Sequence, residues 1–444
     1  MEFGSLRENV HKFNDLIALS VSSVAPAFSI AASYGVIFYY LRFQSLLGII
    51  IAMPFFLLAA LIFKKFNRSI PNAGASYVWG KNLVSDRYGR FQSWIVSLAY
   101  FFSIPPIVIP AGEYTMDLLK SFGLVTESTV NLFLIGSFWI LISFLFLALG
   151  ARPTSRATEI FIITEITVIL IFLVLAIKGF PEHYINKFSF SWVDPLKIKR
   201  PYMFIAGFLA IATIMDGWEI DSYASEESMN KNRYPGTTGI IGLIFVFIIY
   251  IITMTLMEME TPAGMLSLSD DPLFAWASYI SDDSWIMLIA VISSTASSLW
   301  LTTYILSRAW YSMARDGIMF RPFGYIDKRG SPLISLIIIA LLTEIVNAVM
   351  LFIPSVENFF AELLSLSGAF LLAEFCMDGF TGLYFFSGKN HHNRFYILIS
   401  AIVFSGMLLM IILGFYTNIN LAYISMPVII PGIIIAIKNV NLRN

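Results

Sequence analysis

Apolar residues run through the chain in about twelve blocks joined by short polar connections, and each block is long enough to cross a hydrocarbon core of about 30 Å as a helix. The blocks cover residues 14–40, 45–63, 90–112, 130–149, 158–177, 201–224, 237–257, 284–312, 332–353, 359–386, 395–416 and 420–437. This pattern predicts an all-α polytopic membrane protein.

Two of the blocks break their own pattern. The sixth begins as an ordinary apolar helix and then places Asp216, Gly217, Trp218 and Glu219 together deep in the run, before an acidic and then a basic tail ending at Pro235. An acidic side chain at the bilayer centre costs roughly 2.5–3.5 kcal/mol on insertion scales, so Asp216 requires a cavity, a cation or a hydrogen-bonding partner. Gly217 supplies the complement, because without a Cβ it accepts backbone angles that unwind a helix and release its N–H and C=O groups. The first block is interrupted by Ser22, Ser23 and Pro26. Proline removes one backbone donor and clashes with the preceding turn.

Blocks one and six stand five apart, which is the arrangement of two inverted five-helix repeats with a binding site between their discontinuous members. The candidate substrate-site residues are Ser22, Ser23, Val24, Ala25, Pro26 and Ala27 on one side and Ile214, Met215, Asp216, Gly217 and Trp218 on the other, expected side by side at mid-membrane. On this division residues 1–13 form an N-terminal tail, 14–178 the first repeat, 179–200 an external loop, 201–388 the second repeat, and 389–444 two added helices with a C-terminal tail.

Composition fits the same class. Of 444 residues 58% are hydrophobic and 13% charged, with a mean hydropathy of +0.78, whereas soluble domains carry about 25% charged residues. A net charge of −1 offers no basic excess for nucleic acid. The one cysteine, Cys376, excludes an internal disulfide and a cysteine-rich metal site, and reads as a small apolar core residue. His11, His183, His391 and His392 fall in the tail or loops, so no histidine-based intramembrane metal site is expected. The absence of a phosphate-cradling glycine loop with its lysine argues against direct ATP drive, and no cofactor is expected. The polar start lacks the features of a removable signal peptide, so the first block is expected to stay in the protein.

Four segments together resemble the amino acid/polyamine/organocation (APC) transporters: PNAGASYVW from Pro71, GARPTSRATEIFIITEI from Gly150, DGWEIDSYASEESMNKNRYP from Asp216, and SRAWYSMARDGIMF from Ser307. Their order and spacing extend over nearly the whole chain. The resemblance implies a secondary active transporter in the cell membrane, with two five-helix inverted repeats and two added helices, binding an amino acid or related amine between unwound parts of helices one and six. It also implies that Gly217 is the unwinding glycine, that Trp218 closes over substrate, and that Glu226 and Glu227 make gate or loop contacts. In that family backbone N–H groups of a Gly-Ser-Gly type segment hold the substrate carboxylate. Here Ala25-Pro26-Ala27 stands in that place and lacks at least one donor.

Coupling to a proton or to sodium is open at this level. Some proton-coupled relatives carry a lysine in helix five, but this chain has Glu159 and Glu165 and no lysine between Arg156 and Lys178. Glu165 is either a proton carrier or a packing hydrogen-bond partner, and Glu219 is a further candidate. Sodium would need oxygen ligands such as Ser293, Ser294, Ser297 and Ser298, where Ser293/Ser297 and Ser294/Ser298 each share a helix face; close helix packing explains the same serines. Glu344, Glu374 and Asp378 are other intramembrane acids, the last two one turn apart on one face. A substrate sensor on a transporter fold and a membrane-embedded enzyme are the alternative readings. Oligomeric state is not legible.

Charge placement sets the expected orientation. With the N-terminus inside, roughly 21 of the 28 Lys and Arg fall on the cytoplasmic side, among them Lys64, Lys65, Arg308, Arg321 and Lys389, and about 7 outside. The connection after the seventh block adds Glu258, Glu260, Asp270, Asp271, Asp282 and Asp283 outside, with no Lys or Arg. Both termini are therefore expected in the cytoplasm. Single-cysteine variants in a Cys376→Ala background test this: an impermeant thiol reagent applied to intact cells should label positions 197 and 270 and leave 65, 321 and 389 unlabelled. Labelling of the second group reverses the orientation.

Overall fold

The computed structural model describes residues 4–389 and 391–437, so Lys438 and Arg443, counted with the inner charges, lie outside the described residues. The chain forms α1 (Phe13–Val24), α2 (Pro26–Leu41), α3 (Ser45–Ser69), α4 (Ser76–Leu83), α5 (Asp86–Ser103), α6 (Pro105–Ser121), α7 (Thr129–Ala148), α8 (Ala151–His183) and α9 (Pro201–Thr213). It continues through α10 (Ile220–Tyr223), α11 (Thr237–Glu260), α12 (Ala263–Leu268), α13 (Pro272–Ile280), α14 (Trp285–Arg315), α15 (Leu333–Val349), α16 (Val356–Ser387), α17 (Arg394–Thr417) and α18 (Ile419–Ile437). Among the described residues no strand forms, and one bridge joins His11 to Ser228.

Each of the twelve apolar blocks is largely helical. Among the described residues nine helical stretches are long and apolar enough to cross a membrane; one of them, Phe13–Ser69, contains α1 to α3, and another, Asp86–Ser121, contains α5 and α6. Pro201–Thr213 and Leu333–Val349 are shorter apolar helices. Burial sorts the stretches: α14 runs through the interior, whereas α7, α8, α17 and α18 turn Leu134, Ile163, Leu409 and Ile434 outward, each more than half exposed. Such apolar faces suit lipid rather than water.

Three details depart from the pattern read in the sequence. The third block is divided at Ile104, because Pro105 and Pro106 open α6 and cannot continue the hydrogen-bond ladder of α5. The connection after α11 is not a plain loop: it holds α12 and α13, the latter capped by Asp271, whose Oδ1 accepts the Phe274 N–H at 2.8 Å. Glu258 and Glu260, expected as external loop charges, lie in the last turn of α11 and are fully buried. Glu258 accepts from the Tyr34 hydroxyl at 2.6 Å and from Ser45, and Glu260 from the Trp276 indole at 2.9 Å. Only partners from distant segments make that burial tolerable.

Both interrupted blocks are broken helices. Between α1 and α2, Ala25 adopts a left-handed φ of +55°, and Pro26 takes the first position of α2, where its missing N–H would have been unpaired anyway. Between α9 and α10 the backbone leaves the helix from Ile214 to Glu219, with Gly217 at φ +99°. The two breaks touch. A Cβ on Gly217 would stand 2.7 Å from the Ser23 carbonyl carbon, 2.8 Å from its oxygen and 2.9 Å from the Val24 nitrogen. Gly217→Ala combines that overlap with a left-handed backbone worth about 1–2 kcal/mol in strain for an L side chain. The variant should unfold at a clearly lower temperature in detergent, while Gly264→Ala, where a Cβ meets nothing within 4 Å, should leave the melting temperature unchanged.

Candidate functional site

Several of the backbone groups released at the breaks have partners within the protein. On the α1 side the Ser23 carbonyl accepts from Ser298 Oγ at 3.2 Å, and the Val24 carbonyl from Ser29 Oγ at 2.8 Å. On the α9 side the Ile214 carbonyl accepts from the Tyr250 hydroxyl at 2.9 Å, and the Gly217 N–H donates to Glu219 Oε2 at 2.9 Å. The Ala27 N–H at the start of α2 donates to Glu165 Oε1 at 2.8 Å. These bonds meet the requirement that irregular backbone at membrane depth be satisfied within the protein.

The serines of α14 take up the same task. Ser22 Oγ donates to Ser297 Oγ at 2.7 Å, Ser297 donates on to the Ser294 carbonyl at 3.0 Å, and Ser294 Oγ accepts the Phe28 N–H at 3.1 Å. Ser293 is buried beside them. Val24, Ala25, Ala27, Ile214 and Met215 are buried, whereas Asp216 is half-buried. Trp218 is fully buried, stacked on Phe375 at 5.7 Å between centroids and set edge-on to Phe63 at 5.1 Å.

A second group of acids lies behind the α9/α10 break. Tyr100 donates to Glu219 Oε1 at 3.0 Å and reaches Glu374 Oε1 at 3.4 Å, and Tyr223 donates to the same Glu374 oxygen at 2.6 Å. Ser76 Oγ stands 2.7 Å from Glu374 Oε1 and 2.8 Å from Asp378 Oδ2, while Gln92 Nε2 donates to Asp378 Oδ1 at 2.9 Å. A hydroxyl carries one hydrogen, so both serine contacts are hydrogen bonds only when one of the two carboxyl groups is protonated and donates. Glu374 and Asp378 thus meet across one serine, as their one-turn spacing suggested. Glu344, by contrast, joins α15 to α7 through Ser137, 2.6 Å away.

The face carrying the N-terminal segment is closed by ion pairs. Glu227 accepts from Arg308 Nε at 3.0 Å and Nη2 at 3.2 Å, with both side chains fully buried. Arg308, counted with the inner charges and inside the eighth apolar block, lies within α14, its guanidinium 3.6 Å from the centre of the Tyr304 ring. Tyr304 donates to Glu227 and stands 3.3 Å from His11 Nε2. His11 is buried too, and burial pushes its imidazole below the ordinary value, against the opposite pull of Glu227. The tail is held by Val10 and His11 N–H groups on the Glu227 carbonyl, at 2.8 and 3.0 Å. Glu226 pairs with Arg315 at 2.6 Å, beside a cavity of about 310 Å³ lined by Ser5, Glu8, Asn72, Lys231 and these two residues.

Sequence reasoning missed Ser76, Tyr100 and Tyr223, and also Asp221, whose Oδ2 accepts from the Gly236 and Gly239 N–H groups at 2.6 Å and from Thr238 at 2.7 Å to cap α11. Ser76, Asp221 and Tyr223 lie inside the segments PNAGASYVW and DGWEIDSY, but nothing local distinguishes them from neighbouring polar residues.

The sequence profile of the family described as Amino acid permease matches residues 12–437. Among curated proteins the chain is similar to the branched-chain amino acid permease BcaP of Bacillus subtilis (strain 168), 22% identical over 281 residues, and spans 58% of that protein's length and 59% of its own. It is 23% identical over 430 residues to BcaP of Lactococcus lactis subsp. cremoris (strain MG1363), covering 89% of this chain and 87% of that protein. The fold is shared with the crystal structure of the Eremococcus coleocola manganese transporter in complex with an aromatic bis-isothiourea substituted compound, at a TM-score of 0.61 and 15% identity, over 98% of this chain and 97% of that one.

The buried pair on the tail face gives a stability prediction. Removing one partner leaves an uncompensated buried charge and costs about 3–5 kcal/mol, whereas replacing both with apolar side chains of similar volume is often neutral. Glu227→Ala should therefore unfold well below the wild type, and Glu227→Leu/Arg308→Met should recover most of the loss. Equal destabilisation of both variants in thermal unfolding of the purified protein contradicts this account.

Proposed function

Because the chain belongs to the amino acid permease family, we propose that it is a membrane transporter that moves amino acids or related amines across the cell membrane by alternating access. The substrate is held where the α1/α2 and α9/α10 breaks meet. The observation that carries this reading is the contact of the two breaks at Gly217, on the Ser23 and Val24 backbone, because discontinuous helices are where transporters bind substrates and ions. Asp216, one residue before that contact and half-buried, supplies a negative charge. In a partly dehydrated site a carboxylate gains more from an ammonium than it does in water, although its own desolvation offsets much of the gain. Trp218, enclosed by Phe375 and Phe63, backs this contact, and would have to leave that packing to present its ring to the ligand.

Alternating access requires that one face be sealed while the other opens. The Glu227–Arg308 and Glu226–Arg315 pairs form the seal on the tail face, which the charge distribution assigns to the cytoplasm, and residues 14–178 and 201–388 are the two repeats that move. A proton is the coupling ion this arrangement favours, since Ser76 hydrogen-bonds Glu374 and Asp378 together only when one of them is protonated. The α14 serine hydroxyls, the basis of a sodium site, support the competing coupling.

Uptake by the protein reconstituted in liposomes, with labelled amino acids and amines under imposed proton or sodium gradients, tests the reading. Uptake of at least one such compound is expected, driven by the proton gradient. Asp216→Asn keeps the size and removes the charge, so KM for the amine should rise by roughly tenfold, the equivalent of about 1.4 kcal/mol. Unchanged affinity with lost pH-driven accumulation would make Asp216 a proton carrier instead.

A further inference from the structure

The start of α2 has no N–H left for a ligand. Pro26 carries none, and the Ala27 N–H donates to Glu165 Oε1 at 2.8 Å. The Phe28 N–H donates to Ser294 Oγ at 3.1 Å, and that hydroxyl donates on to the same Glu165 oxygen at 2.8 Å. The next N–H, of Ser29, closes the first intrahelical bond on the Ala25 carbonyl at 2.8 Å, and the Ala25 N–H is spent on Val21 at 3.1 Å. Free N–H groups at a helix start form an anion site. Here a carboxylate from α8 occupies it from within the protein.

The choice of glutamate is informative. Neutral serine, threonine or asparagine caps a helix start without burying a charge, whereas Glu165 is fully buried, has no hydrogen-bond partner at Oε2, and takes part in none of the ion pairs among the described residues. The charged side chains described at the two breaks, Asp216, Glu219 and Glu165, are all acids. A ligand carboxylate would find the α2 donors already taken. An amine that lacks a carboxylate has no need of those donors.

Resting on the transporter reading above, we infer that Glu165 is a specificity-determining residue: its carboxylate fills the position of a ligand carboxylate, so the site admits amines that lack one and turns away amino acids that would anchor through it. Matched pairs that differ only in the carboxylate test this on the purified full-length protein: cadaverine against lysine, putrescine against ornithine, phenethylamine against phenylalanine. Wild type should bind the amine of at least one pair roughly ten- to a hundredfold more tightly than its amino acid, the scale of a lost charge-assisted hydrogen bond. Glu165→Ala, which frees the Ala27 N–H and releases the Ser294 hydroxyl hydrogen, should abolish or reverse that preference. Wild-type protein that binds the amino acid as tightly as the amine in every pair that binds overturns the inference.

A second measurement does not depend on the substrate. Sodium acetate or formate, compared with sodium chloride at equal ionic strength, should raise the melting temperature of Glu165→Ala by refilling the anion position, and should leave wild type and Glu165→Gln unmoved. No carboxylate-specific rise in Glu165→Ala overturns the occupancy of that position by Glu165. If no compound of any pair binds wild type, the transporter reading for these substrates fails and the amine preference fails with it, while the acetate comparison still decides what Glu165 occupies.

Discussion

Backbone N–H and C=O groups cannot be left bare in a bilayer, and two broken helices in contact release several of them at once. Gly217 makes the contact geometrically available, because only a residue without a Cβ fits against the Ser23 and Val24 backbone. Everything packed around the breaks then answers for a particular group: Ser298 for the Ser23 carbonyl, Tyr250 for the Ile214 carbonyl, Glu165 and Ser294 for the start of α2, Glu219 for the Gly217 N–H. The interior position of α14 follows from this demand. Its serines must reach both α1 and α2, so the helix that carries them runs beside the break rather than along the lipid.

Buried charge is handled in two different ways. On the tail face Glu227 is matched by Arg308, whose planar guanidinium reaches both carboxylate oxygens. Around Glu219, Glu374 and Asp378 the partners are instead the hydroxyls of Ser76, Tyr100 and Tyr223 and the amide of Gln92. A hydroxyl donates to a carboxylate or accepts from a carboxylic acid, so this network accommodates a change of protonation. The two designs suit an ion-pair latch on one side and a variable charge behind the α9/α10 break on the other.

Much of the architecture was legible along the chain because it rests on local properties. Apolar block length reports what a segment needs to cross lipid, Pro26 and Gly217 report where a helix cannot continue, and four short motifs report the family; each is a property of a few neighbouring residues. The partners of buried polar groups belong to another level. Arg308 reads as one more inner-side charge until Glu227, 81 positions earlier, is placed against it. Glu258 and Glu260 read as loop acids until Tyr34, Ser45 and Trp276 enclose them. Ser76 is one serine among many until α4 brings it to Glu374 and Asp378, 298 and 302 positions away. Sequence alone determined that the first and sixth blocks break and that acids lie within the membrane, since those follow from backbone chemistry and side-chain identity. The tertiary structure alone decided that Glu165, 138 positions from Ala27, would end on its N–H, because a buried group's partner is whatever the packing of distant helices brings within reach.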